Sequence, residues 1–226
     1  MAFTDRHGGV SGGPFASLNL AIQGGDDPES VEENLRRVAA KFNANGPLVG
    51  MQQVHGSVTE VVADDSRTPV CDGLVTAAPG VALLVRVADC VPVLLADVEA
   101  GVVGAAHAGR KGVSSGVVSA TVQRMRAQGA SGSLVAWVGP HICGLCYEVP
   151  DAMREEVAAV VPAAHSTTSW GTPALDLGAA VAAQLTLLDV EVIDASRCTR
   201  EHEDLYSFRR DGADAGRLAG LIRISP

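Results

Sequence analysis

Apolar residues dominate Val81-Ala-Leu-Leu-Val-Arg-Val-Ala-Asp-Cys-Val-Pro-Val-Leu-Leu-Ala-Asp97. After Val98-Glu99-Ala100 they resume in Gly101-Val-Val-Gly-Ala-Ala-His107. Two Val- and Leu-rich arms joined by a short connector ending in glycine predict a β-hairpin. If Asp97 pairs with Ala100 across a two-residue loop, Cys90 falls opposite His107, their Cβ atoms about 5 Å apart. A three-residue loop shifts the partner by one, and Pro92 demands an edge or a bulge, so the pattern predicts the contact and leaves the register open.

Elsewhere the pattern alternates between helical and extended. Asp27-Pro-Glu-Ser30 opens a helix running to about Lys41, because Asp caps, Pro suits the first helical position and acids favour the first turn. Short β pieces follow at Pro47–Val54 and Ser57–Val62. Val113, Val117, Val118, Val122 and Met125 recur at helical spacing, predicting a helix over Gly112–Arg126 that ends at Gly129. Leu134–Val138 reads as a buried strand and Val190–Ile193 as another. Helices are expected at Pro150–Val160, Ala174–Leu188 and Ala213–Ile222. Without a steady βαβ beat, these elements favour an α+β fold with mixed sheets. Before them, glycines at 8, 9, 12, 13, 24 and 25 predict a compact irregular segment around Arg6 and His7.

Composition narrows the partners. With 226 residues and 47% apolar content, the chain is long enough to bury a sizeable core, and it reads as one domain over 1–226 without linker or repeat. A formal charge of -9 argues against nucleic acid or an anionic membrane and favours a small-molecule substrate. No apolar stretch reaches membrane-spanning length and Met1-Ala-Phe-Thr-Asp-Arg6 lacks a signal-peptide core, so a cytoplasmic location is expected. Five cysteines at irregular positions favour free thiols, metal ligands or catalysis over a disulfide framework.

The candidate chemistry gathers around the predicted hairpin. Cys90 and His107 suit either a nucleophile with its base or two metal ligands. His55, taken alone, is a structural histidine at a strand end. With Cys90 and His107 it completes a set suited to Zn²⁺ with three protein ligands and an open position for water. Asp89 points to the other strand face unless the chain kinks before Pro92, in which case it can orient a histidine or act as general base. His107-Ala-Gly-Arg-Lys-Gly112 leads a strand into a helix, and its glycines with Arg110 and Lys111 suit an anion or phosphate. The same loop also reads as a tight turn with solvated basic residues. It is not a Walker A loop, since Arg110-Lys111 stands where Lys followed by Ser or Thr is needed. Cys143-Gly-Leu-Cys146 has C-x-x-C spacing but no second pair, and reads as buried, inert thiols. Arg209, Arg210 and Arg217 form a solvated face or reach an anionic substrate.

A set of motifs spans almost the whole chain in order. They are Phe3-Thr-Asp-Arg-His-Gly-Gly-Val-Ser11, Ser17-Leu-Asn-Leu20, Gly25-Asp-Asp27, Val31-Glu-Glu-Asn34, Gln53-Val-His-Gly56, Asp72-Gly73, Ala88-Asp-Cys-Val-Pro92, His107-Ala-Gly109, Gly139-Pro140, Cys146-Tyr-Glu-Val149, and Tyr206-Ser-Phe-Arg-Arg-Asp211 with Gly216-Arg217. Together they resemble the YfiH family, also called the laccase-domain or multicopper polyphenol oxidase family. The resemblance implies a layered α/β/β/α fold and zinc held by His55, Cys90 and His107. It also implies phosphorolysis of adenosine, inosine or methylthioadenosine, with phosphate as co-substrate and adenosine deamination beside it. Asp89, Cys90 and His107 are then the catalytic candidates, and Arg6, Gln53, Arg110, Lys111 and Arg209 the substrate-binding ones. Two departures stand out: Arg110-Lys111 replaces the family's Trp-Arg, and Cys143 replaces the last glycine of Gly-Pro-x-Ile-Gly.

Laccase chemistry fails on counting, because a multicopper oxidase needs many histidines, commonly in His-x-His pairs, and this chain has six histidines and no such pair. Copper can still take zinc's place, since it binds N and S donors more tightly. A different class, a thiol hydrolase with Cys90 as nucleophile and His107 as base, would act for example on peptidoglycan precursors. A non-catalytic ligand-binding protein is a third reading. The sequence carries no signal for oligomeric state.

Overall fold

The computed structural model describes residues 1–42, 46–64 and 67–224. Its strands in chain order are β1 (Ala2–Phe3), β2 (Leu48–Val49), β3 (Thr59–Val61), β4 (Gly73–Thr76), β5 (Ala82–Val87), β6 (Val91–Asp97), β7 (Val102–Ala108), β8 (Leu134–Val138), β9 (His165–Thr167), β10 (Pro173–Leu175), β11 (Val190–Asp194) and β12 (Leu218–Arg223). The helices are α1 (Pro28–Lys41), α2 (Arg110–Ser115), α3 (Val117–Ala127), α4 (Asp151–Val160), α5 (Leu177–Thr186) and α6 (Phe208–Asp211). One sheet runs β11-β8-β6-β7-β4-β3 and a second runs β1-β12-β5-β2, both with parallel and antiparallel pairs.

Three apolar layers stack the molecule as α/β/β/α, as the resemblance implies. Val91, Val93 and Leu95 of β6 face α2, α3 and α5 through Val113, Val118 and Val181. Leu94 and Ala96, on the opposite face of the same strand, pack between the sheets with Leu83, Val85 and Leu218. Leu84, Ala219 and Leu221 turn to the far side, where Val38 and Leu35 of α1 cover them. Strands buried on both faces read as unbroken apolar runs, which is why β5, β6 and β7 lack polar alternation. No helix among the described residues is long and apolar enough to cross a membrane.

Several sequence expectations hold. Helix α1 spans the predicted residues and Asp27 caps it, accepting a bond from the Ser30 N–H. Strands β8 and β11 and helix α4 also fall where the pattern puts them. Arg6 draws the N-terminal segment into a compact loop by donating to the carbonyls of Ala16, Pro14 and Glu203.

Five expectations are corrected. The run Val81–Asp97 is not one hairpin arm, because the chain leaves one sheet after Val87 and enters the other at Val91, turning at Asp89 with φ 89°. Asp is among the residues that tolerate such a left-handed turn. The β6–β7 hairpin closes Asp97 against Val102, so Pro92, not Cys90, lies opposite His107. The helix expected over Gly112–Arg126 is two, broken where Gly116 takes φ 81°. The helix expected from Ala174 starts at Leu177 behind the Asp176 cap, and Pro173–Leu175 is a strand. The final helix expected over Ala213–Ile222 is β12, the strand between β1 and β5. Its residues alternate between the layers, Leu218 and Ile222 inward and Ala219 and Leu221 toward α1, and this period of two overrides helical propensity.

Candidate functional site

Asp72 organises the site. It lies at the start of β4, is fully buried, and accepts bonds from three successive backbone N–H groups, those of Val54 (3.2 Å), His55 (2.9 Å) and Gly56 (2.7 Å). These bonds hold His55 in a left-handed turn with φ 61°. A non-glycine residue in this region costs on the order of 1–2 kcal/mol, and such strain clusters at functional sites. His107 arrives from β7, its N–H bonded to the Asp72 carbonyl (2.8 Å) and its Nδ1 to Asp72 Oδ1 (2.8 Å). An ionised carboxylate only accepts, so Nδ1 carries the proton and Nε2 is left free as a ligand. Cys90 comes from the turn before β6, with Sγ 3.9 Å from His55 Nε2.

The donor atoms of His55, Cys90 and His107 lie within 4.8 Å of one another, and the two imidazoles meet edge to face at 4.8 Å between centroids. Burial opposes ionisation of the Cys90 thiol, but His107 and His55 outweigh it and bring the thiol down to about 6. Burial also opposes charge on His107, and the Cys90 thiolate with Asp72 raises it to about 9. Two imidazoles and one thiolate, with His107 already oriented by Asp72, fit a zinc ion that keeps a position open.

Gly109 sits against this group. A Cβ built there would lie 2.8 Å from His55 Cδ2 and 3.1 Å from Cys90 Sγ, although its backbone (φ -79°) is open to any residue. Gly109→Ala is therefore expected to weaken metal affinity about tenfold or more, the size of effect seen when ligand support is disturbed. Competition with a chromophoric chelator measures it, and the melting temperature should barely move.

The group opens into a cavity of about 540 Å³. Its wall carries Arg86, Arg209 and Arg217 against a single acid, Asp89, with Gln53, Tyr147 and Phe208 among the other lining residues. Burial pulls the Arg86 guanidinium down to about 10, and its Nε donates to the Leu20 carbonyl (2.7 Å). Burial also lowers Arg217, whose guanidinium lies 6.0 Å from the Phe208 ring centroid. Arg209 lies 5.0 Å from the Tyr147 ring centroid and donates to the Glu148 carbonyl (2.6 Å). Gln53 is held by both its amide atoms on the Arg86 backbone.

The cross-strand contact between Cys90 and His107 survives the corrected register, since the chain bends just before β6. Asp89 does kink, as its sequence position allows. However, it orients no histidine: its oxygens accept from Thr199 Oγ1 (2.6 Å) and the Arg209 N–H (2.6 Å), and the orienting carboxylate is Asp72. Gln53 and Arg209 line the cavity, whereas Arg6, Arg110 and Lys111 do not. Arg6 is spent on backbone carbonyls and lies 4.6 Å from the Tyr206 ring centroid. Arg110 reaches the site only through Tyr147, and Lys111 is exposed.

Asp72, Tyr147 and Phe208 are functional residues that residue type and spacing do not single out, although all three lie in the quoted motifs. Arg86 does carry a signal, since a lone charge inside an otherwise apolar strand marks a buried polar task.

A thiolate and two imidazoles at the floor of an arginine-lined cavity define the kind of site that small-molecule enzymes build. Residues 1–225 match the family model described as multi-copper polyphenol oxidoreductase laccase, and the chain belongs to that family. It is 52% identical to a Streptomyces griseus protein named purine nucleoside phosphorylase ORF3, with 98% of this chain and 93% of that protein aligned. It is 44% identical to a Corynebacterium glutamicum protein also named purine nucleoside phosphorylase, over 97% of this chain and 92% of that one. Among solved structures, YlmD from Geobacillus stearothermophilus superposes with a TM-score of 0.89 at 34% identity, covering 99% of this chain and 91% of that one. The YfiH protein of Bacillus licheniformis superposes with a TM-score of 0.89 at 28% identity, covering 99% and 91%.

Proposed function

We propose that this chain is a zinc-dependent purine nucleoside phosphorylase acting on adenosine, inosine and methylthioadenosine, with adenosine deamination as a second activity. The observation that carries the reading is the meeting of the His55, Cys90 and His107 donors with a cavity bearing three arginines. The names of the relatives aligned along nearly the whole chain support it. The same reading takes residues 1–226 as a single domain working in the cytoplasm.

In phosphorolysis a phosphate oxygen bonds to the ribose C1′ while the bond from C1′ to the purine breaks. The electron pair leaves with the base, which takes up a proton. Arg209 and Arg217 are the groups that hold the phosphate anion, their stacked rings limiting where the charge can sit. Phe208, 53% exposed beside the cavity, and Tyr147 offer ring faces for a purine. Asp89 acts as a positioning residue for Arg209. Bound zinc would supply a Lewis acid beside the sugar or base, and copper can replace it on the same donors.

The test is release of adenine and ribose 1-phosphate from adenosine, with and without phosphate, before and after metal removal. Activity that needs both phosphate and metal is expected. Product formed without phosphate, or full activity in stripped protein, overturns the reading.

The low thiol pKa of Cys90 beside His107 specifically favours a second reading, a thiol hydrolase acting for example on peptidoglycan precursors. One prediction bears on both. In metal-free protein, alkylation of Cys90 by iodoacetamide should follow a thiolate titrating near pH 6, since its pKa falls to about 6. Reaction is therefore fast at neutral pH and lost as the pH drops below that value. Peptide mass spectrometry measures the rate, and zinc added in excess should suppress it. A hydrolase would be active in the metal-free state, whereas the phosphorylase would not.

A further inference from the structure

Cys143-Gly-Leu-Cys146 and Cys198-Thr-Arg-Glu201 are two turns of the same construction. In the first, the N–H groups of Cys146 and Tyr147 both donate to the Cys143 carbonyl (3.0 and 3.0 Å). In the second, those of Glu201 and His202 both donate to the Cys198 carbonyl (3.2 and 3.1 Å). A parallel bridge between His141 and Cys198 clamps the turns together, with Thr199 N–H bonded to the His141 carbonyl (2.9 Å). The Cys143 N–H also points at Cys198 Sγ (3.5 Å). A sequence pair that lacked a partner therefore has one, supplied by a segment 55 residues further along.

We infer that Cys143, Cys146, Cys198 and Glu201 form a second, structural zinc site, separate from the centre built on His55, Cys90 and His107. The four donor atoms lie within 4.8 Å of one another, and Cys146 Sγ is 3.4 Å from Glu201 Oε1. Around a tetrahedral ion with Zn–S near 2.3 Å, sulfurs stand about 3.8 Å apart, so only a small contraction is needed. Four protein ligands close the coordination sphere, which is the mark of a structural site. Thiolates select zinc over magnesium or calcium.

All five cysteines of the chain are free thiols. Three thiolates and a carboxylate carry more negative charge than one zinc ion cancels, and the Arg200 side chain against Cys146 offsets part of the excess.

The position gives the ion a task. The first turn carries Ile142 and Tyr147, both in the cavity wall, and the second carries Thr199, whose hydroxyl donates to Asp89. The site would brace the wall of the cavity from behind, whatever reaction occurs in it.

The test is metal content by plasma mass spectrometry of protein purified without a chelating tag from zinc-supplemented cells. Two equivalents are expected in the wild type, one in Cys143→Ser/Cys198→Ser and one in His55→Ala/Cys90→Ala. The exposed change Glu201→Gln spares the fold and should weaken one of the two zinc affinities at least tenfold in chelator competition, leaving the other unchanged. With cobalt as probe, the His55→Ala/Cys90→Ala protein should still show thiolate-to-metal charge transfer and tetrahedral bands. Wild-type metal that is unaffected by Cys143→Ser/Cys198→Ser overturns the inference. So does a cobalt-silent His55→Ala/Cys90→Ala protein, or a disulfide among Cys143, Cys146 and Cys198 in freshly purified protein. If only the first centre fails, zinc is lost with Cys143→Ser/Cys198→Ser and kept with His55→Ala/Cys90→Ala.

Discussion

His55→Ala is expected to lower phosphate-dependent adenine release by about 10³-fold or more in kcat/KM, and to lose the metal at its own centre. A Lewis acid at a reacting oxygen contributes several kcal/mol, and each 1.36 kcal/mol is about a factor of ten in rate. His55 separates the two chemistries better than Cys90 or His107, because those two serve both as ligands and as nucleophile with base. A thiol hydrolase keeps its Cys90–His107 pair intact in this variant and should lose little. The side chain is exposed, so the change opens no cavity. Its backbone has φ 61°, where alanine is strained by on the order of 1–2 kcal/mol. His55→Gly removes that strain and should show the same loss of activity with a normal melting temperature. Steady-state kinetics and metal analysis on both variants read the outcome. Wild-type metal content together with wild-type turnover in either one sinks the zinc assignment.

How the sequence and the structure relate is clearest at Cys90 and His107. The apolar run located both residues and their contact, because strand composition and a glycine-ended connector are local signals. It left the register open, which the loop over 98–101 fixes by closing Asp97 on Val102, and it did not reveal the bend at Asp89 that sends the two halves of the run into different sheets, since sheet membership is set by packing rather than by neighbours in sequence. Local signals also sufficed for α1, whose cap, proline and acidic first turn all lie within four residues. They failed for β12, where a short apolar segment fits either a helix or a buried strand and the flanking β1 and β5 decide. The site divides in the same way. His55, Cys90 and His107 are legible as metal-ligating residue types. Asp72 became visible only when the fold showed what surrounds it, since a carboxylate that accepts from a distant loop leaves no spacing to read, whereas Arg86 stands out as the one charge in an apolar strand.

Asp72→Asn should lower metal affinity 10- to 100-fold, roughly the cost of disturbing the carboxylate that orients a ligand histidine, although it exchanges one oxygen for an NH₂. Asp72 Oδ1 accepts from His107 Nδ1 (2.8 Å) and the His55 N–H (2.9 Å), while Oδ2 accepts from the Gly56 (2.7 Å) and Val54 (3.2 Å) N–H groups. Asparagine has a single oxygen for these two pairs of donors. If it serves Gly56 and Val54, its NH₂ faces His107 and drives the imidazole proton from Nδ1 to Nε2, which then cannot bind a metal. If it serves His107, two backbone N–H groups confront an NH₂ in the interior, at about 1–3 kcal/mol for each unmet donor. Asp72→Ala leaves all four donors without a partner and should destabilise the fold by roughly 3–5 kcal/mol, the cost of breaking a buried ion pair. The acid limb gives a further check with a defined sign. Burial raises the Asp72 pKa, but His107 and the backbone donors outweigh it and hold the carboxyl below its ordinary value. Its stabilising contribution is thus present above the unfolded carboxylate pKa near 3.9 and lost as pH falls through the lower folded value. Denaturant midpoints across that range should drop in the wild type, and drop less steeply in Asp72→Asn. Equal slopes, together with unchanged metal affinity, would remove Asp72 from its place behind His107.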